Sequence, residues 1–194
     1  MNGMDVSEAI LARHSVRSYK ADPVEEEKLM RVLEAACRAP SAQNRQPWRF
    51  VVVKDPEVKE KIRSCYKRDW FLSTELPLII VACGVIDESW DKGKNRERVR
   101  ELGREYGDEL FSDYWKVDVS LAIQSLMLAA TGEGLGTCFI GGFNEHCLRE
   151  VLSIPPNMRV VGMTPLGYPK EESDLRRPRK SLNEIVVYDH FPTG

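Results

Sequence analysis

An unbroken apolar run, Leu78-Ile79-Ile80-Val81-Ala82-Cys83-Gly84-Val85, leaves few ways to fold this chain. It is short for a helix and rich in β-branched residues, so it reads as a strand, and a strand with no polar face needs a sheet covered on both sides. The covering layers are legible on either side of it. Asp5-Val6-Ser7-Glu8 forms a capping box for a first helix, in which Val6, Ile10 and Leu11 recur at helical spacing. Asp22-Pro23 opens a second helix as N-cap and first helical residue, with Glu25, Glu26 and Glu27 near the positive end of its dipole. Leu29, Val32, Leu33, Ala36 and Cys37 form its buried stripe, and Pro40 closes it.

Asp55-Pro56 starts a helix that runs to about Tyr66, Val117 to Ala130 carries too few charges to be anything but a core helix, and Asn144 caps a helix ending near Leu152. Trp48 to Val53, Thr137 to Ile140 and Val160 to Leu166 read as further strands. Helices alternating with single strands describe an α+β fold of the three-layer α/β type, with a mixed sheet between helices. The length, 194 residues, fits one domain spanning 1–194. Within it, the polar, charged stretch from Asp87 to Trp115, with Trp90, Tyr106, Phe111 and Tyr114, reads as a lid or an interface element, and 170–194 as an arm that packs on a partner subunit.

Net charge is −2 and the sequence pI about 6.0, which excludes a broad nucleic-acid surface. No apolar run reaches the ~18 residues that span a bilayer, and no basic segment leads into an apolar core at the start, so a cytoplasmic protein is expected. The five cysteines, Cys37, Cys65, Cys83, Cys138 and Cys147, are odd in number and lack metal spacing; they read as reduced, mostly buried thiols.

Two short segments flank the second helix and carry chemistry. Arg13-His14-Ser15-Val16-Arg17 places two guanidinium groups and a hydroxyl within one turn, which suits a phosphate; the same cations also complement the end of the preceding helix dipole. Pro40-Ser41-Ala42-Gln43-Asn44-Arg45-Gln46-Pro47-Trp48 is non-periodic and rich in amide and hydroxyl groups, which suits either the polar edge of a planar heterocycle or hydrogen bonds to its own backbone. In Gly134-Leu135-Gly136 and Gly141-Gly142 the small residues either let a flat ring approach the main chain or end a helix and make a tight turn. There is no G-x-S-x-G elbow, no H-E-x-x-H and no P-loop, and the three histidines, His14, His146 and His190, are far apart. Anion clamps, amides and glycines without a nucleophile are what a cofactor-carried reaction requires.

The chain resembles the nitroreductase family of FMN-dependent oxidoreductases over nearly its whole length. The resemblance rests on Arg13-His14-Ser15-Val16-Arg17, the run Ala39-Pro40-Ser41 through Asn44, Gln46-Pro47-Trp48 and Phe50, Gly134-Leu135-Gly136, and Arg177-Pro178-Arg179 before the tail. It implies an intertwined homodimer with FMN at the subunit interface. By that similarity Arg13, His14, Ser15, Arg17, Arg177 and Arg179 of one subunit would hold the phosphate and ribityl chain, Pro40, Ser41, Ala42, Asn44 and Gln46 would come from the other, and Ile140, Gly141 and Gly142 would line the isoalloxazine ring. The reaction implied is hydride transfer from NAD(P)H to the flavin and from there to a nitroaromatic, quinone or similar small-molecule acceptor, with no catalytic side chain of the protein's own. Specialised relatives that dehalogenate, fragment flavin or oxidise heterocycles share the fold, and a flavin-storage module is a further alternative. One departure stands out. The lysine that many members place near the pyrimidine edge has only Lys67 or Arg68 as counterpart.

Overall fold

A computed structural model of the chain describes residues 4–66, 68–73, 75–89, 97–98, 101–102, 104, 113–170 and 178–191. The expected apolar strand is β2, Leu78–Val85, buried along its whole length, and it pairs antiparallel with β1, Trp48–Val53, on one side and β4, Met158–Gly167, on the other. A two-residue strand β3, Gly136–Thr137, completes the order β1-β2-β4-β3. All the strand pairs are antiparallel; the parallel component of the expected mixed sheet is an isolated bridge between Ser15 and Thr137.

Period-two alternation along β2 divides the interior. Leu78, Ile80 and Ala82 enter one core with Leu29 and Val32 of α2 (Glu26–Cys37) and Val119, Ala122 and Leu126 of α5 (Trp115–Gly132). Ile79, Val81 and Cys83 enter the other, with Ile62 of α3 (Pro56–Cys65), Phe71 of α4 (Asp69–Ser73) and Leu148 of α6 (Glu145–Val151). The result is helix, sheet, helix. Asp55 caps α3 through the Glu57 and Val58 amides and Asn144 caps α6 through that of Cys147, as their side chains predict.

Several expectations are corrected. The second helix begins at Glu26, with Glu25 as N-cap, not at Asp22-Pro23. The chain is held extended just before this: Lys20 N–H donates to the Tyr168 carbonyl, Tyr19 bridges Pro169, and the Tyr168 hydroxyl meets both Glu25 and Lys28. Cys37 is exposed and leaves the buried stripe. The strand expected over Thr137–Ile140 stops at Thr137, because the next amide, Cys138 N–H, donates to the Thr164 hydroxyl and so leaves the ladder, which resumes at a bridge from Ile140 to Met163.

In α1, Val6–Ala12, only Ala9 is buried, and Val6, Ile10 and Leu11 face outward. Trp115 belongs to the core and not to a lid; it opens α5 above Gly84, where a Cβ would meet its ring at 2.3 Å. Of the rest of the expected lid, Trp90, Tyr106 and Phe111 lie outside the described residues, and Tyr114 is the N-cap of α5. Cys65 and Cys147 are not free thiols: they form a disulfide between α3 and α6 across a sequence separation of 82. Cys37, Cys83 and Cys138 are free. The arm contains α7, Leu182–Ile185, started by a Ser181/Glu184 capping box, and Tyr188 and Phe191 are each at least 80% exposed.

Candidate functional site

The Arg13–Arg17 segment leaves α1 extended. Val16 N–H donates to the Thr137 carbonyl at 2.9 Å, and the Tyr19 hydroxyl holds the Val16 carbonyl at 2.6 Å. This attachment to β3 buries Val16 and, by strand alternation, turns Ser15 and Arg17 the other way. The attachment depends on Gly136, where a Cβ would lie 2.7 to 2.9 Å from three Val16 side-chain carbons. Gly134 sits at φ +74°, immediately after the Glu133 C-cap of α5. These two glycines therefore end a helix and seat the segment; the ring-approach reading does not apply to them.

A cleft of about 970 Å³ opens beside the segment. Arg13, His14, Ser15 and Arg17 line it, and Arg179 joins them from the arm, more than 160 residues later in the chain. The walls are Ile10 and Leu11 of α1, Phe139, and Ser120, Ile123, Gln124, Met127 and Leu128 of α5. Among the described residues no carboxylate lines it and none of the three arginines is in an ion pair. Arg17 also lies over the Trp70 ring, 5.9 Å from its centroid. His14 Nδ1 donates to the Ala12 carbonyl at 3.0 Å, which leaves Nε2 buried and without a partner.

Among the described residues no cysteine, lysine or tyrosine lines this cleft. Burial pushes the Cys138 thiol up, against the lowering influence of Arg17 and a hydrogen bond from Ser15. Burial also raises Cys83 to about 11 and puts the Tyr19 hydroxyl well above its ordinary range. None of these is ionised near neutral pH.

The second expected segment is elsewhere. None of Pro40, Ser41, Ala42, Asn44 and Gln46 lines the cleft. The loop they form is closed by its own side chains, with Gln46 N–H on Ser41 Oγ at 3.0 Å and Gln46 Nε2 on both Asn44 Oδ1 and the Asn44 carbonyl, and it carries Gln43, Asn44 and Gln46 in left-handed backbone. That pairing commits the Gln46 amide hydrogens and the Asn44 side-chain oxygen. Asn44 Nδ2 remains a donor and Gln46 Oε1 an acceptor.

The Ile140 side chain is buried in the second core. Gly141 and Gly142 are exposed beyond it and do not line the cleft, whereas their neighbour Phe139 does, lying over Gly162. Arg177 and Lys67 lie outside the described residues; Arg68 is exposed. The α5 wall was missed because that helix reads as core throughout. Its signal was Ser120 and Gln124, polar residues at i and i+4 and so on one face of the helix.

The cleft, lined by three arginines and an apolar wall, lies on a three-layer α+β fold. The family model described as "Nitroreductase family" matches residues 10–168, and the chain belongs to that family as an oxidoreductase. It is 34% identical over 200 residues to an NADH dehydrogenase of Thermus thermophilus, covering 95% of this chain and 96% of the relative. A nitroreductase family protein from Clostridium difficile 630 superposes with a TM-score of 0.76 at 30% identity, over 98% of this chain and 100% of that one. A protein from Exiguobacterium sibiricum, solved in complex with FMN, shares the fold at a TM-score of 0.79 and 22% identity, over 97% and 99% of the two chains.

Proposed function

We propose that the protein is an FMN-dependent oxidoreductase that works as a homodimer and passes electrons from NAD(P)H to nitroaromatic, quinone or similar acceptors. The observation that carries this reading is the convergence of Arg13, Arg17 and Arg179 on one cleft with no compensating carboxylate among the described residues. Uncompensated guanidinium groups repel one another and are retained where an anion binds them; a planar fork suits phosphate oxygens. With Ser15 and the buried Nε2 of His14 they fit a phosphate and the start of a polyol chain, and Arg177 would join them.

FMN, when bound, supplies the hydride chemistry; the chain's own residues bind, orient and exclude water. Asn44 and Gln46 present one donor and one acceptor, the complement of an imide-type ring edge, and their loop stands outside the cleft of its own protomer. A second copy would bring it in, together with Pro40, Ser41 and Ala42, while Ile140, Gly141 and Gly142 would back the ring. Support for the second copy comes from the apolar residues left exposed beside the cleft, Ile10 and Leu11 of α1 with Val117 and Leu121 of α5, and from the apolar arm. The test is an absorption spectrum with added FMN, then anaerobically with NADH or NADPH. A bound flavin spectrum that bleaches supports the reading. Bound flavin that stays oxidised points to a specialised or storage role, and no flavin binding refutes it.

A further inference from the structure

Asp118 is a carboxylate at 1% exposure inside a helix whose neighbours are core. Burying an ionised carboxylate is costly without hydrogen bonds to it. Part of the cost is offset by its place in the first turn of the 18-residue α5, where the helix dipole favours a negative charge. Its Oδ1 accepts the Ala42 N–H at 2.9 Å, across 76 residues of sequence. Ala42 opens the short 3-10 turn Ala42–Asn44, and the loop around it holds three non-glycine residues at φ between 51° and 54°. Backbone of that kind persists only where its surroundings over-determine it. The loop's internal hydrogen bonds fix its shape, whereas the Asp118 bond ties that shape to α5.

We propose that Asp118 is the positioning residue of the 41–46 loop, setting where Asn44 and Gln46 meet the ring of the cofactor. The inference rests on the flavin reading above. One rigid helix then serves two sites of the dimer, the partner's through the loop and its own through the cleft wall. Through Asp118 it seats the loop, and through Ser120 and Gln124, on its exposed face, it walls the cleft that holds the phosphate.

Three variants test this by FMN affinity and by the position and shape of the bound flavin's visible bands. Asp118→Ala removes the acceptor, and Ala42→Pro removes the donor at a first helical position that proline tolerates, after a residue already extended at φ −141°, ψ 154°. Asp118→Asn keeps an acceptor oxygen. The expected result is that Asp118→Ala and Ala42→Pro each weaken FMN binding about tenfold, as losses one contact removed from a ligand do. In both, the bands shift toward those of FMN in water. Asp118→Asn restores affinity and bands to near wild type, and Arg17→Ala, acting at the phosphate end, weakens binding without moving the bands. Should Asp118→Ala fail to fold, Ala42→Pro carries the test alone, with Asp118 intact. Wild-type bands and affinity in Ala42→Pro overturn the proposal, as does an Asp118→Asn variant with the shifted bands. A wild-type protein that binds no FMN overturns the functional reading and the proposal with it, whereas the variant results bear on the proposal alone.

Discussion

Adding one methyl group at Gly136 should damage both the fold and the cleft. A Cβ there would sit 2.7, 2.8 and 2.9 Å from Cγ2, Cβ and Cγ1 of Val16. Carbon atoms pack at about 3.5 Å, so the two strands must part by roughly 0.8 Å. Val16 cannot rotate out of the way, since its Cβ is itself one of the three. Its N–H bond to the Thr137 carbonyl, now 2.9 Å, would stretch beyond hydrogen-bond length. Overpacking of this kind costs about 1–3 kcal/mol, a fall in Tm of about 2–12 °C for a chain of this size. The displaced segment carries Arg13, Ser15 and Arg17, so FMN affinity should fall about tenfold.

Two neighbouring glycines serve as controls for Gly136→Ala. At Gly132, the last residue of α5, an added methyl group would meet nothing within 4 Å, and Gly132→Ala should be neutral or stabilising by up to about 1 kcal/mol. Gly134→Ala also meets no atom but must hold φ +74°, at a cost of about 1–2 kcal/mol. Thermal melting of the FMN-free proteins and fluorescence titration of FMN give both quantities. If Gly136→Ala melts with wild type and binds FMN as tightly, the seat on Gly136 does not position the clamp.

Other outcomes follow from the same geometry. Arg17→Ala and Arg179→Ala should each lose charge-assisted bonds of about 1.5–3 kcal/mol, weakening FMN roughly 10- to 150-fold in titrations at low salt; unchanged affinity in both would remove them from the site. Thiol titration of the unfolded, unreduced protein should read three cysteines and not five. Reducing the Cys65–Cys147 bridge should destabilise the fold by about 4–5 kcal/mol, the chain-entropy value for a loop of 82 residues, and an unchanged melting curve would refute it. Glu145 is held below the usual carboxylate range first by its hydrogen bonds to Arg159, both at 2.6 Å, and also by the Val160 amide. Its ionised form therefore stabilises the fold above the unfolded carboxylate pKa, and that contribution fades as pH falls through the lower folded value. Glu145→Gln should thus melt below wild type at pH 7, with the gap closing on acidification; a pH-independent gap would contradict the assignment.

Local signals were enough for much of this chain. The strands Trp48–Val53 and Leu78–Val85, and the caps at Asp5, Asp55 and Asn144, are where the residues place them, because alternation, β-branching and a side-chain acceptor act over a few residues. Arg13 and Arg17 were legible as a clamp for the same reason. Arg179 joined it in the sequence only through family resemblance.

What lay beyond local reading depends on contacts between distant segments. The disulfide could not be inferred from an odd set of widely spaced cysteines, because only the packing of α3 against α6 brings Cys65 to Cys147. Tyr168 and Pro169 hold residues 19–25 extended and delay α2, overriding a helix start at Asp22-Pro23. Gly136 reads as room for a ligand until Val16 is seen to fill it. The bond from the Ala42 N–H to Asp118 joins residues 76 apart and has no local signal. Residue order alone was enough for the layers and most of the strand and helix ends, since those follow from apolar periodicity and residue type, whereas the oxidoreductase class came from family resemblance. Which arginines share a cleft, and which glycine seats them, was settled in three dimensions, because a site is a set of distances, and those are set only when the two cores close around β2.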